Sequence, residues 1–220
     1  MSDTDPILLD EMEQDALTEL VNVGVSRAAT CLRTMTGHPV LLSVPGMAIV
    51  PRRGAARMIG EPGTTRFVAV RQEFEGDFSG SALLIFPETR SLELVRAVTG
   101  GDLPLEDIVA LEQEALAETG NVILNSCLAS IANMLRRGLR MSLPDIVRGG
   151  AADLFDLSNE VTAGDLVLVL YINFTVEALD IAGYIAMLLD LPALQVLRRL
   201  LHELVHRAAG EPISFCHVAD

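Results

Sequence analysis

One stretch of this chain is written twice, and any fold proposed for it has to house both copies. The first opens DALTELVNVG at Asp15 and the second EALAETGNVI at Glu114. Aligned, Glu19 returns as Glu118, Asn22 as Asn121 and Pro45 as Pro144, each 99 residues further on. Both copies read Glu-x-x-Asn, then 22 residues, then Pro. With each residue type making up about one residue in twenty, such a triplet starts by chance at roughly one position in 8,000. A second occurrence, in a frame that also aligns the surrounding apolar residues, marks an internal duplication. The period is too long for a solenoid and implies two halves of one domain related by a pseudo-two-fold axis.

On a helix, at about 100° per residue, Asp15, Glu19, Asn22 and Ser26 share one face, while Leu17, Leu20, Val21, Gly24, Ala28 and Leu32 share the other. The second copy behaves alike. Glu114, Glu118, Asn121 and Asn125 face one way, and Leu116, Ile123, Cys127, Ile131 and Met134 the other. A polar stripe on an amphipathic helix is ordinarily only a solvated face. Here that face carries Asn, a poor helix former, at the same place twice where Lys or Arg would serve a helix better.

Half of the 220 residues are apolar, enough to bury one good core. The net charge of −14 speaks against nucleic acid as a partner, because little here would neutralise phosphates. Three cysteines, Cys31, Cys127 and Cys216, are odd in number and far apart. Cys31 and Cys127 fall in helical patterns and read as small core residues, not as a disulfide framework. The opening MSDTDPILLD lacks the basic start of a signal peptide. The greasiest region, Leu166 to Leu191, is interrupted by Asn173, Glu177, Asp180 and Asp190, and so reads as buried strands and not a membrane span. The expected compartment is the cytoplasm.

In chain order, residues 1–10 read as a leader, 11–210 as the domain and 211–220 as a loose tail. The domain divides into halves at 11–101 and 105–209, with a hinge at Gly100, Gly101 and Pro104. The first half reads as a long helix from Glu11 to Met35 stopped by Gly37, a strand broken at Pro45-Gly46, and an Arg-bearing loop over PRRGAARMIGEPGTT. The strands RFVAVRQEFEG and FSGSALLIF then form a hairpin, and a helix follows Pro87. The second half repeats the order. A short helix near 105–111 leads into a long one ending near Arg136, followed by MSLPDI, a loop over GGAADLFDLSNEVTAGD, the paired strands DLVLVLYINFTV and ALDIAGYIAMLL, and a last helix from Pro192 to about Ala209. Gly183 answers Gly80. This order predicts an α+β domain whose largely antiparallel sheet is backed by the long helices.

The doubled pattern Asp/Ser-x3-Glu-x2-Asn-x22-Pro resembles the CheC–FliY–CheX family of chemotaxis phosphatases, over about residues 9 to 208. The first copy matches in full through Asp15, Glu19, Asn22 and Pro45. The second matches through Glu118, Asn121 and Pro144, with Glu114 where the family has Asp or Ser. Two intact helices look most like CheC. The resemblance implies hydrolysis of the aspartyl phosphate of a CheY-like response regulator. Glu19 and Glu118 would dock on the regulator's lysine, and Asn22 and Asn121 would hold the attacking water. Asp15 and Glu114 would support them, and Pro45 and Pro144 would shape the strands beyond. The chain would need no cofactor of its own, the Mg²⁺ belonging to the regulator. The amide suits the task, since it donates and accepts without charge and phosphoryl transfer depends mostly on positioning.

Two other readings compete. The same resemblance allows a non-catalytic regulatory or switch-complex binding protein, for instance a partner of CheD. Separately, His202, Glu203 and His206 satisfy H-E-x-x-H, the zinc-peptidase arrangement on a helix. The extended motif has Gly and then a third His where this chain has Ala209 and Pro212, so the packing reading of that helix is the stronger.

Overall fold

The computed structural model describes residues 9–43, 45–59, 65–100, 104–155 and 166–209. The leader up to residue 8, the tail from 210, Cys216 and most of the hinge lie outside them. Helix α1 spans Glu11–Thr36. Its first turn is closed by a capping box: Asp10 Oδ1 accepts from the Glu13 amide at 2.8 Å, and Glu13 Oε2 accepts from the Asp10 amide at 2.9 Å. Asp10 thus belongs to the helix and not to the leader, and Leu9 beside it is buried in the core. Gly37 ends α1 in the left-handed conformation, at φ 73°. Helix α4, Leu105–Leu135, ends the same way on Arg136, at φ 56°.

Between the two lie strands β1 (Leu41–Leu42) and β2 (Gly46–Pro51), helix α2 (Arg52–Ile59), strands β3 (Phe67–Gly76) and β4 (Gly80–Pro87) and helix α3 (Ser91–Val98). After α4 come β5 (Leu139–Met141), β6 (Asp145–Gly149), α5 (Ala151–Leu154), β7 (Leu166–Val176), β8 (Ile181–Asp190) and α6 (Leu191–Ala209). The eight strands make one sheet in the order β1-β7-β8-β4-β3-β5, with β2 also on β7 and β6 also on β3. Every pairing is antiparallel. The order is symmetric about the β8–β4 junction, and it exchanges strands between halves. The first half's β1 and β2 lie on the second half's β7, and the second half's β5 and β6 lie on the first half's β3.

The duplication extends to the strand crossings. Gly80 opposes Phe74 and Gly183 opposes Phe174, and a Cβ on either glycine would strike that ring at about 2.6–2.7 Å. The expected answer of Gly183 to Gly80 is therefore a packing requirement, met twice.

The long helices, with α3 and α6, cover one sheet face through the main core. Gly24 lets α1 approach α4: a Cβ there would lie 3.0 Å from Ile131 Cγ1 and 3.1 Å from Cys127 Sγ. Burial pushes the Cys127 thiol up to about 12, so it packs as an apolar group.

Three expectations need correction. The Arg-bearing stretch after Pro51 is not loop throughout: α2 forms over Arg52–Ile59 because Ala55, Ala56 and Ile59 find a second apolar cluster on the far face of the sheet. Within the second stretch read as loop, Ala151–Leu154 forms α5 and packs into that same cluster. The short helix expected near 105–111 is continuous with the long one. LEQEALAE contains no breaker, and α4 runs unbroken for 31 residues.

Candidate functional site

On α1 the burial of Leu17, Leu20, Val21, Val25 and Ala28 turns Asp15, Glu19 and Ser26 to solvent, with Asn22 half-buried at the margin. The Ser26 hydroxyl donates to the Asn22 backbone carbonyl at 2.7 Å, which leaves the Asn22 carboxamide out of the exchange. Neither that carboxamide nor the Glu19 carboxylate has a side-chain partner among the described residues. This face offers an acid and an amide one helical turn apart, both unclaimed.

The α4 face has the same outline and a different interior. Glu114 and Glu118 are exposed, while Asn121 and Asn125 are half-buried. Asn121 Oδ1 accepts from Gln72 Nε2 at 3.0 Å and from Asn125 Nδ2 at 2.7 Å. Gln72 stands on β3, is only 1% exposed, and also donates through Nε2 to the Ser142 carbonyl at 2.9 Å. That backbone oxygen can only accept, so Gln72 must turn its amide nitrogen toward it, and Asn121 must in turn offer its oxygen. The polarity of the network is thereby anchored at a group whose role is unambiguous. Gln72 Oε1 is buried with no partner among the described residues.

Three strand registers locate the counterpart of Gln72 in the other half. Phe74 opposes Gly80 and Met141, and Phe174 opposes Gly183 and Leu42. Val70 opposes Ile146, and Leu170 opposes Met47. The Ser142 amide donates to the Glu73 carbonyl at 2.8 Å, and the Ser43 amide to the Asn173 carbonyl at 2.9 Å. Gln72 therefore corresponds to Ile172, which is fully buried and has nothing to donate to Asn22.

Pro45 and Pro144 each stand immediately before a strand, β2 and β6 respectively, both half-buried. They start the strands that run back across the sheet and do not join the Glu–Asn faces. Beside the α4 face Leu143 stands 89% exposed, with Val122 also at the surface, so the polar pair there has an apolar flank.

Other chemistry is set apart from these faces. His202 and His206 lie on α6 with Nε2 atoms 3.0 Å apart, but the Glu203 carboxylate is held by Arg137 at 2.8 Å. No group of three or more His, Cys, Asp or Glu side chains among the described residues is placed to hold a metal ion. A cleft of about 450 Å³, with Arg52, Arg71, Phe155 and Asp190 among its walls, includes none of the Glu–Asn residues. No helix among the described residues is long and apolar enough to cross a membrane.

Gln72 is the residue that sequence reasoning missed. Its signal lies in strand phase: Val68, Val70 and Phe74 point with it into the core, so it is the one polar member of a buried row.

No family model matches this chain. The flagellar motor switch phosphatase FliY of Bacillus subtilis (strain 168) is 26% identical over 154 residues, covering 69% of this chain and 38% of that protein. The CheY-P phosphatase CheC of the same organism is 24% identical over 139 residues, covering 62% of this chain and 66% of that protein. The chain thus matches less than two thirds of the length of either relative. Among solved structures, FliY of Thermotoga maritima superimposes with a TM-score of 0.68 at 18% identity, over 90% of this chain and all of that one. At that identity the superposition speaks for the fold alone.

Proposed function

This chain is a homologue of the CheC–FliY–CheX family of chemotaxis phosphatases, and from that premise we propose that it hydrolyses the aspartyl phosphate of a CheY-like response regulator. Glu19 and Glu118 anchor the regulator through its active-site lysine, with Asp15 and Glu114 adding negative charge one turn earlier. Asn22 and Asn121 hold a water in line with the phosphorus. Water oxygen bonds to phosphorus as the acyl P–O bond breaks. The regulator's aspartate leaves with the electron pair, and the water's proton departs with inorganic phosphate. The acyl phosphate is already reactive, so no nucleophile is needed from this chain, and the Mg²⁺ that neutralises the phosphoryl oxygens sits on the regulator. The reaction belongs to the cytoplasm, where such regulators work.

The observation that carries this reading is the unclaimed Glu19–Asn22 pair on an outward helix face, whose residue types and spacing recur in register on α4, there with the asparagine oxygen held from behind. A purely docking face would have no use for the carboxamides. The test is the decay of a CheY-like regulator charged with acetyl phosphate. Wild-type protein should speed it, and the Asn22→Ala/Asn121→Ala double variant should return it to the regulator's own rate, a loss on the order of 100-fold. Equal decay without the protein, with wild type and with the double variant would leave only the regulatory or switch-complex binder, including the CheD-partner form of it. Equal acceleration by both proteins would instead take the water-holding role away from the two asparagines.

A further inference from the structure

The two faces are not equivalent, and the difference lies behind the helices. Asn121 Oδ1 has two lone pairs, and both are filled, by Gln72 and by Asn125. Its amide nitrogen has no partner among the described residues. Asn22 has neither constraint: Ile172 stands where Gln72 would be, and Ser26 stands where Asn125 would be and spends its hydroxyl on the backbone.

Gln72 is also an uncomfortable residue to bury. It lies in a row otherwise made of Val68, Val70 and Phe74, and its own carbonyl oxygen has no partner among the described residues. The twin row, Leu168, Leu170, Ile172 and Phe174, shows that an aliphatic side chain fits the same position. A buried amide with an orphaned oxygen, at a place where isoleucine suffices, calls for a reason other than packing.

Resting on the phosphatase reading above, we propose that Gln72 is a positioning residue. It clamps the Asn121 carboxamide oxygen inward, so that the α4 site presents a preoriented N–H donor to the attacking water. The α1 site instead works with a carboxamide free to turn either end outward. A donor held in place gives up less freedom as the reaction proceeds, which is the ordinary benefit of preorganisation. The α4 site is therefore the one with the higher turnover, and its water is bound as an acceptor of the Asn121 N–H.

The experiment uses the full chain and a CheY-like regulator charged with acetyl phosphate. In an Asn22→Ala background, where only the α4 site works, Gln72→Ile copies the twin's residue. It should lower kcat about tenfold with KM within about twofold, while Tm holds or rises. In an Asn121→Ala background Gln72 has no carboxamide to hold, and the same change should cost far less. Equal losses in the two backgrounds, or a fall in kcat that tracks a fall in Tm, would mark Gln72 as structural and overturn the proposal. Acceleration by the Asn22→Ala protein that Gln72→Ile leaves untouched would overturn it too, with the phosphatase reading intact. No acceleration by wild type would sink that reading first. Independently of activity, the Asn121 side-chain amide in ¹⁵N relaxation should be as ordered as the backbone in wild type and mobile in Gln72→Ile; a mobile Asn121 in wild type refutes the clamp.

Discussion

Helices α1 and α4 carry the same motif on the same outward face, and they sit differently on the sheet. At the position after the motif's Leu or Thr, α1 has Val21 and α4 has Gly120. A Cβ on Gly120 would lie 2.3 Å from Val70 Cγ1, so α4 is seated directly on β3, in reach of Gln72. On α1 a valine fills that place, and the strand residue facing Asn22 in register is aliphatic. The comparison teaches that duplication preserved what faces outward and let the supporting layer diverge. Two faces with the same Glu–Asn pair can thus differ in how firmly those side chains are held.

The comparison can be broken most forcefully at its seat. Gly120→Val, which gives α4 the residue of α1, should destabilise the fold by about 3 kcal/mol, read as a shifted urea midpoint, because the added carbons meet Val70 with nowhere to go. The reciprocal Val21→Gly meets no steric obstacle but empties a buried position and puts Gly in a helix interior, so it too should cost roughly 2–4 kcal/mol. The sharper contrast is Gly120→Ala, and a neutral or stabilising Gly120→Ala would mean that α4 is not seated on Val70. Next in size, Ile172→Gln builds the clamp into the first site. It buries a new amide, costing about 1–2 kcal/mol in chemical denaturation, and should order the Asn22 side-chain amide in ¹⁵N relaxation. An Asn22 amide that stays mobile would show that register alone does not make the clamp.

A smaller effect separates the helix ends. Gly37 closes α1 and Arg136 closes α4, both left-handed. Arg136→Gly should stabilise the protein by about 1 kcal/mol, measured as a rise in Tm, whereas Gly37→Ala should cost about as much. The smallest concerns pH. Glu88 joins Arg66 at 2.7 Å and Arg148 at 3.6 Å, and Arg148 reaches Glu112 on α4 at 3.1 Å. The hydrogen bond from Arg66 holds the Glu88 carboxyl below the usual carboxylate range. A lowered folded-state pKa contributes stability above the unfolded value of about 4.3 and loses it as pH falls through the folded value. Glu88→Gln should therefore cost roughly 0.5 kcal/mol at pH 6 and nothing once Glu88 is protonated in acid, in paired thermal melts. A difference that persists in acid would mean the side chain acts through packing instead.

Much of this was legible in the residues, where periodicity and spacing are the cause of the structure. The helix faces, the greasy paired strands and the matched glycines Gly80 and Gly183 follow from burial at periods of 3.6 and 2. The small α2 was not, because Arg52, Arg53 and Gly54 read as loop, and its three apolar contacts exist only once a second sheet face is there to receive them. Gln72 was hidden for a related reason. In RFVAVRQEFEG it looks like one more polar residue of an alternating strand, and only its phase with Val70 and Phe74 gives it away. Aligning the two hairpins as well as the two helices would have set it opposite Ile172. What no alignment within the chain could supply was the exchange of β1 and β2 for β5 and β6 across the sheet, since strand pairing between distant segments leaves little local trace.

That exchange has a consequence for what the polypeptide can be cut into. Cleaved in the connection near residue 100, it would yield fragments each lacking the neighbour that zips up its longest hairpin: β3 would lose β5 and β6, and β7 would lose β1 and β2. Each fragment would expose an open ribbon edge. β4 and β8 would lose one another as well, so neither piece alone would keep the pairing of the intact protein, and each would carry the kind of bare strand edge that invites aggregation.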